Sequence, residues 1–298
     1  MSIDAWDEIR TAFHVARAGT VSGAASELGV HHATVIRHID SLEYRLGTKL
    51  FQRHARGYTP TEAGADLLQV AQTTEDQFAQ LANRLQGRGN SVTGDLVVTT
   101  LGVLSPLLTP ALARFQIAHP EVTLRHLTGD RLFRLEYGEA HVAIRAGSSP
   151  EEPDNVVQRL WTSHSALYAS QAYLDRYGMP DLDGDLGDHR FVGTDQADSR
   201  APFHRWLHGK VDRSQIVYRA IDERVITYAV MEGVGLGFVP VWEACRHPEL
   251  IKVCAARVEW SSPLWLVTHV DLHRTAKVQA LLAHLKSDAK TWQNEARD

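Results

Sequence analysis

The sequence predicts an α+β protein in three parts: a small helical head with a β-hairpin, one long helix, and a body of two α/β lobes. Three features predict it. The segment VHHATVIRHIDSLE, Val30 to Glu43, follows a short helical run built on Ala24, Ala25 and Leu28. Beyond it, Gly64, Leu67, Ala71, Thr74, Phe78, Leu81 and Leu85 recur in alternating steps of three and four, which is a heptad pattern. From Gly94 onward, short apolar runs alternate with helical patterns, the signature of open α/β sheets.

In the head, Ala24 and Ala25 are small enough for two helices to cross closely, and Gly29 can end the first. Val35, Ile39, Leu42 and Leu46 form a buried stripe on the second helix, which leaves its opposite face free. A DNA-reading unit needs such a pair, because one helix braces on the backbone while the first turns of the other enter the major groove. The free face presents His31 at the expected cap, then His32, Ala33, Thr34, Ile36, Arg37 and His38. His32, Thr34, Arg37 and His38 are capable of polar contacts, whereas Ile36 offers at most a methyl contact to thymine. Arg37 is the expected base contact, and the histidines have a plain alternative as solvated surface side chains.

Gly47 ends this helix, and Leu50 to Gly64 reads as strand, tight turn at Arg56 and Gly57, strand and new helix. Thr61 is positioned to cap that helix, while Pro60 blocks its extension backward. Arg53 and Arg56 are expected to point from the hairpin toward phosphate or minor groove. The run Ala24, Ala25, Leu28, Val35, Ile39, Leu42, Glu43, Leu46, Gly47, Leu50, Phe51, Arg53, Thr61, Ala63 and Gly64 closely resembles the N-terminal winged helix-turn-helix of LysR-type transcriptional regulators. The resemblance implies a sequence-specific, DNA-binding regulator of transcription. His31 and Ile36 stand where that family usually carries serine, and this departure leaves the target DNA open.

A net charge of -5 looks wrong for a DNA binder until it is divided along the chain. Residues 1–60 hold seven bases against six acids, with most of the bases after Ile36. The expected DNA face is therefore locally positive on a weakly basic head, which favours binding through a dimer.

The heptad helix supplies the expected dimer seam, since Gln72, Glu75, Asp76, Gln77, Gln80 and Arg84 keep its other face polar. Gly87, Gly89, Asn90 and Ser91 read as a hinge. The resemblance implies a linker helix that pairs two chains antiparallel and sets two recognition helices on successive half-sites, commonly in a dimer of dimers. The expected boundaries are 1–62 for the DNA-binding domain, 63–90 for the linker and hinge, and 91–298 for the body.

Along the body the expected order is a strand at Leu96 to Thr100, a helix at Pro106 to His119, a strand at Val122 to Leu127, a helix at Leu132 to Gly138 and a strand at His141 to Gly147. Strands follow near Val156 to Leu160 and Ala166 to Ala169, then a helix at Gln171 to Tyr177 and a further βα run through Arg190 to Asp222. A helix at Arg224 to Met231, a glycine-hinged strand at Gly233 to Pro240, a strand at Pro263 to His269 and a helix at Thr275 to Trp292 complete it. Lobe I spans about 91–162 and 263–298, and lobe II about 163–262.

Ligands of such sheets sit beyond the carboxyl ends of strands, where helix N-termini offer unpaired donors. The expected effector residues are Thr99, Thr100, Leu101 and Ser105 at one turn, then Arg131 and Arg145, and Val192, Gly193 and Thr194 from lobe II. Gly129, Asp130 and Ala146 line the same turns. Arg131 and Arg145 suit a small organic anion, although Arg145 also has acids nearby with which to pair. Gly94 to Pro120, VGLGFVP and the tail LVTHVDLHRTAKVQ extend the resemblance to the periplasmic-binding-protein-like effector domain of the same regulators.

Other chemistries find little in this sequence. Gly233, Gly235 and Gly237 precede a strand instead of opening a helix, so packing explains them better than a dinucleotide loop. His204 and His208 lie one turn apart without a third ligand nearby, and read as surface histidines. Cys245 and Cys254 flank His247 and Pro248 and read as buried structural cysteines, with a redox-responsive regulator as the alternative. Nucleophile elbow, metal cluster and phosphate loop are all missing, so neither enzyme activity nor a cofactor is expected. A ligand-independent architectural DNA-binding protein stays open. MSIDAWDEIR lacks a secretory pattern, and Leu96 to Phe115 is too interrupted by polar residues and proline to span a membrane. A cytoplasmic protein is expected.

Overall fold

Helices α1 (Trp6–Ala18), α2 (Val21–Leu28) and α3 (His32–Leu46) pack around a hairpin of β1 (Phe51–His54) and β2 (Gly57–Pro60), and α4 (Glu62–Leu85) follows. The structure is a computed structural model that describes residues 5–54, 57–85, 92–129, 131–184 and 186–295. The chain divides into two compact units, residues 1–91 with 134–139, and residues 92–133 with 140–298.

The head core is Ala12, Val15, Ala24, Val35, Ile39, Leu42, Leu50 and Phe51, all buried. Ala24 is fully buried, in keeping with the close helix crossing its small side chain allows. Gly19, Gly29 and Gly47 end the three helices with φ near +67° or +68°, a conformation that costs glycine nothing. Thr20 caps α2 by accepting from the Gly23 amide, and Thr61 caps α4 by accepting from the Gly64 amide.

The heptad stripe of α4 divides into two parts. Gly64 lies against its own domain, where an added Cβ would come within 2.0 Å of the Leu50 carbonyl oxygen. Leu67 packs on the head core. Further along, Phe78 and Leu81 are exposed, with Phe78 meeting the edge of Trp6 at 6.2 Å between ring centroids. The expected hinge, 87–91, lies outside the described residues.

The second unit begins with β3 (Gly94–Thr100), α5 (Ser105–Ala118), β4 (Val122–Thr128), β5 (Val142–Ala146) and β6 (Asn155–Ser163). Lobe II holds β7 (Ser165–Ser170), α6 (Gln171–Tyr177), β8 (Phe191–Thr194), α7 (Pro202–Lys210), β9 (Ile216–Ala220), α8 (Glu223–Met231), β10 (Gly237–Pro240), α9 (Val241–Ala244) and β11 (Leu250–Lys252). The chain returns to lobe I through β12 (Ser262–His269), α10 (Val270–His273) and α11 (Ala276–Glu295).

Lobe I is a sheet of order β4-β3-β5-β12-β6, with β3 parallel to both neighbours and β12 antiparallel to both of its own. Strand β3 is buried through Leu96–Thr100, as a central parallel strand must be when helices cover both faces. Leu108, Leu112 and Phe115 of α5 and Leu281, Leu285 and Trp292 of α11 belong to its core. Lobe II contains the antiparallel sheet β10-β7-β11 and the parallel pair β8-β9, around Tyr173, Phe191, Leu207, Phe238 and Trp260.

Two expected elements come out shorter. The helix expected at Leu132 to Gly138 is a single 3-10 turn, Leu135–Tyr137, ended by Gly138 at φ +70°. The strand expected from Gly233 begins only at Gly237, because Gly233 turns with φ +73° and Gly235 passes the Arg190 backbone. A Cβ on Gly235 would lie 2.7 Å from the Arg190 carbonyl oxygen, and one on Gly237 2.4 Å from Val230, so close packing demands these glycines.

Candidate DNA-reading surface and interlobe cleft

Helix α3 begins at the residue after His31, whose extended backbone occupies the cap position without a capping hydrogen bond from its side chain. His31, His32, Ala33 and Arg37 are exposed, and Thr34 is half-buried. Ile36 packs partly on the head core, and His38 Nδ1 lies 2.9 Å from Thr11 Oγ1. Those two are thus partly occupied by structure, which leaves the first turn and Arg37 as the open face.

Behind that face, the C-terminal half of α3 is locked to the hairpin by Glu43. Its side chain is 2% exposed and accepts from Lys49 Nζ at 2.6 Å, Leu50 N at 3.0 Å, Phe51 N at 3.2 Å and Arg53 Nη2 at 3.3 Å. Burial alone would raise the carboxyl pKa, but the hydrogen bonds from Lys49, Leu50 and Phe51 outweigh it and hold Glu43 below its ordinary value. Arg53, expected at phosphate, also pairs with Asp40 and lies over the Tyr58 ring, its guanidinium carbon 5.4 Å from the centroid. Arg56 lies outside the described residues. Helices α1 and α2 are braced by Glu27, whose Oε2 lies 2.8 Å from His14 Nδ1 and accepts from Arg17 Nη2 at 2.9 Å.

At the cleft, Thr99 and Thr100 are buried at the end of β3, and Leu101 and Ser105 are half-buried around the 3-10 turn that leads into α5. Gly129 N donates to Thr100 O, tying the ends of β3 and β4 together, while Asp130 lies outside the described residues. Arg131 is exposed, 4.4 Å above the Phe133 ring. Arg145 donates to Glu152 Oε1 at 3.1 Å and to Phe133 O at 3.3 Å, the structural ion pair that nearby acids made available. Val192 and Gly193 turn inward. Val192 is 1% exposed, a Cβ on Gly193 would meet Leu207 at 3.0 Å, and Thr194, which ends the strand, is itself 3% exposed with Oγ1 accepting from Gln196 N.

Two arginines of the second lobe, not singled out from sequence, reach lobe I instead. Arg224, at the start of α8, lies over Gly102, where an added Cβ would be 3.4 Å from Nη2 and 3.5 Å from the guanidinium carbon. Asp222 caps α8 and holds that guanidinium, which keeps the Asp222 carboxyl below its usual pKa. Arg246 Nη1 donates to Pro106 O at 3.1 Å. Pro110 has no N–H to offer that carbonyl, so the lobe II arginine takes the place of a helical bond. An aspartate at a helix start was the one sequence signal for the Arg224 pair.

His204 is not a surface residue: it is 1% exposed, with Nε2 2.6 Å from Glu223 Oε1. Cys245 is exposed and Cys254 half-buried, neither joined in a disulfide, which corrects the expectation that both are buried. Burial pushes the Cys254 thiol above its ordinary pKa. Among the described residues there is no helix long and apolar enough to cross a membrane, and no cluster of three metal-ligating side chains.

Comparison with known proteins agrees with this division of labour. Residues 6–65 match the family described as "Bacterial regulatory helix-turn-helix protein, lysR family", and residues 89–290 match "LysR substrate binding domain". The probable HTH-type transcriptional regulator LtrA of Klebsiella pneumoniae is 26% identical over 281 residues, covering 90% of this chain and 89% of that protein. The HTH-type transcriptional activator IlvY of Salmonella typhimurium is 28% identical over 253 residues, covering 82% and 85%. Full-length LysG of Corynebacterium glutamicum with bound effector Arg shares the fold, with TM-score 0.66, 18% identity and coverage of 96% and 98%. With the reading head at one end and the substrate-binding lobes filling most of the rest, the chain belongs to the LysR-type transcriptional regulators, which bind DNA and respond to small molecules.

Proposed function

We propose that this regulator acts as a cytoplasmic homo-oligomer, paired through α4, that reads DNA with the first turn of α3. His31, His32, Ala33, Thr34 and Arg37 form the reading edge, with Arg37 as the main base contact and Arg53 and Arg56 at the backbone. The single observation that best supports this is Arg37 standing exposed on the free face of a helix whose rear half is fixed to the hairpin by Glu43. Exposed Phe78 and Leu81 support pairing through α4, because a lone helix gains nothing by holding them in water. A dimer of dimers would place the paired heads on successive half-sites.

The effector is an organic anion received between the lobes near Thr100, Leu101 and Ser105. Arg224 supports this choice: its guanidinium already crosses to Gly102, and a ligand carboxylate would compete with Asp222 for it. Effector binding then changes the angle between paired heads. The test is footprinting of the full-length protein on DNA fragments selected from its own genome, with and without candidate acids. A cognate acid should change the protected length and the bend. A saturating acid that alters neither would sink the signalling half of the reading, and unchanged binding by Arg37→Ala would sink the DNA half.

A further inference from the structure

A pocket of about 260 Å³ opens on lobe II between the last turn of α7, the start of β9 and the loop after β8. All of its lining comes from that lobe, with His208, Arg213, Arg219 and Asp195 as titratable walls and Val211 and Ile216 as an apolar one. Basic groups predominate. Arg219 donates from Nε to Ile216 O at 3.1 Å and from Nη2 to Arg213 O, which fixes its guanidinium at the rim. Arg213 Nη2 stands 3.8 Å from Asp195 Oδ1, an ion pair too long for a hydrogen bond, and its side chain is 68% exposed and so open to a ligand.

His208 feels its burial first and this field second. Burial lowers its pKa, the charges of His204, Arg213 and Arg219 push the same way, and a hydrogen bond with the Thr194 backbone opposes them. Glu223 does not relieve it, being bonded to His204 Nε2 at 2.6 Å. A concave, net cationic site with one hydrocarbon wall suits a molecule that is charged at one end and apolar at the other. Its volume fits a single small ring or short branched chain and is too small for a nucleotide.

We propose that this pocket, which shares only Thr194 with the residues expected at the interlobe cleft, is a second ligand site for a small monocarboxylate with a compact apolar body. The carboxylate lies between Arg213, Arg219 and His208, and the body covers Val211 and Ile216. A bound negative charge favours the imidazolium of His208, so by linkage affinity falls as pH rises through the His208 range.

The test is calorimetric titration of the full-length protein with benzoate, neutral benzamide and inorganic phosphate, at about pH 6 and about pH 8. Benzoate should bind, more tightly at the lower pH, with benzamide and phosphate each about tenfold weaker. Arg213→Gln, whose parent side chain makes no close structural bond, should weaken benzoate about tenfold while leaving the melting temperature unchanged. Arg224→Ala should leave benzoate binding intact, which separates this site from the cleft. Absence of benzoate binding overturns the proposal, as does loss with Arg224→Ala but not Arg213→Gln. Phosphate binding as tightly as benzoate also overturns it, because the apolar wall would then be idle.

Discussion

The guanidinium of Arg224 in lobe II rests on Gly102 of lobe I, with 3.4 Å between Nη2 and the place a Cβ would occupy. That spacing is ordinary van der Waals contact, so Gly102→Ala should be tolerated, with a change below about 0.5 kcal/mol. A side chain reaching further, as in Gly102→Phe, should displace Arg224 and open the cleft mouth. Small-angle scattering of the two variants would show an enlarged envelope for the second only; equal envelopes would remove Arg224 as a bridge.

Gly64 tolerates far less. A Cβ there would sit 2.0 Å from the Leu50 carbonyl oxygen, a backbone atom that cannot swing away. Gly64→Ala should therefore cost at least about 2 kcal/mol, concentrated in the head, and abolish DNA binding. Hydrogen exchange should show the loss in α4 and the hairpin while lobe amides keep their protection.

Glu43 gives the head an acid limit. Because its folded pKa is depressed, its contribution is fully present above the unfolded glutamate value and is lost as pH falls through the lower folded value. Head amides should thus lose protection below about pH 4, where an unfolded glutamate takes up its proton. Glu43→Ala strands the Leu50 and Phe51 amides at any pH and should cost about 3 kcal/mol. Glu43→Gln keeps an acceptor, should cost less, and should flatten the acid dependence.

Arg37 and Arg53 should fail in different ways. Arg37→Ala should lose about 1 to 3 kcal/mol of binding to its selected site and relax discrimination against scrambled DNA. Arg53 holds Asp40 and Glu43, so Arg53→Ala should loosen the hairpin and weaken all sequences alike. Competition binding on the two variants separates these outcomes.

The thiols should also differ. Iodoacetamide should label exposed Cys245 first, with Cys254 slower because burial raises its pKa. Peroxide treatment followed by mass mapping should leave the pair unlinked; a Cys245 to Cys254 disulfide that altered DNA binding would restore the redox alternative.

The head was legible in sequence because its determinants are local: a stripe at 35, 39, 42 and 46, glycines at helix ends, and a threonine cap. The strand and helix order of the lobes was legible for the same reason. Leu132 to Gly138 was not, since its spacing suits a helix but only one turn forms before Gly138. Long-range partners around the expected cleft were not legible. Arg145 pairs with Glu152, Val192 is buried in the lobe II core, and Arg246 meets Pro106 from 140 positions away. Periodicity carries no record of such pairings.

The grip of Glu43 divides one helix into two jobs. From Ile39 onward the helix holds the hairpin, and of residues 31–38 only His31, His32, Ala33 and Arg37 stand exposed, since Val35 is buried and Ile36 packs on the head core. If that exposed set reads DNA as proposed, changes in it would retune which promoters are recognised while the grip on the wing stays intact. On that reading, new operators would be within reach of a few substitutions at exposed positions, with little risk to folding.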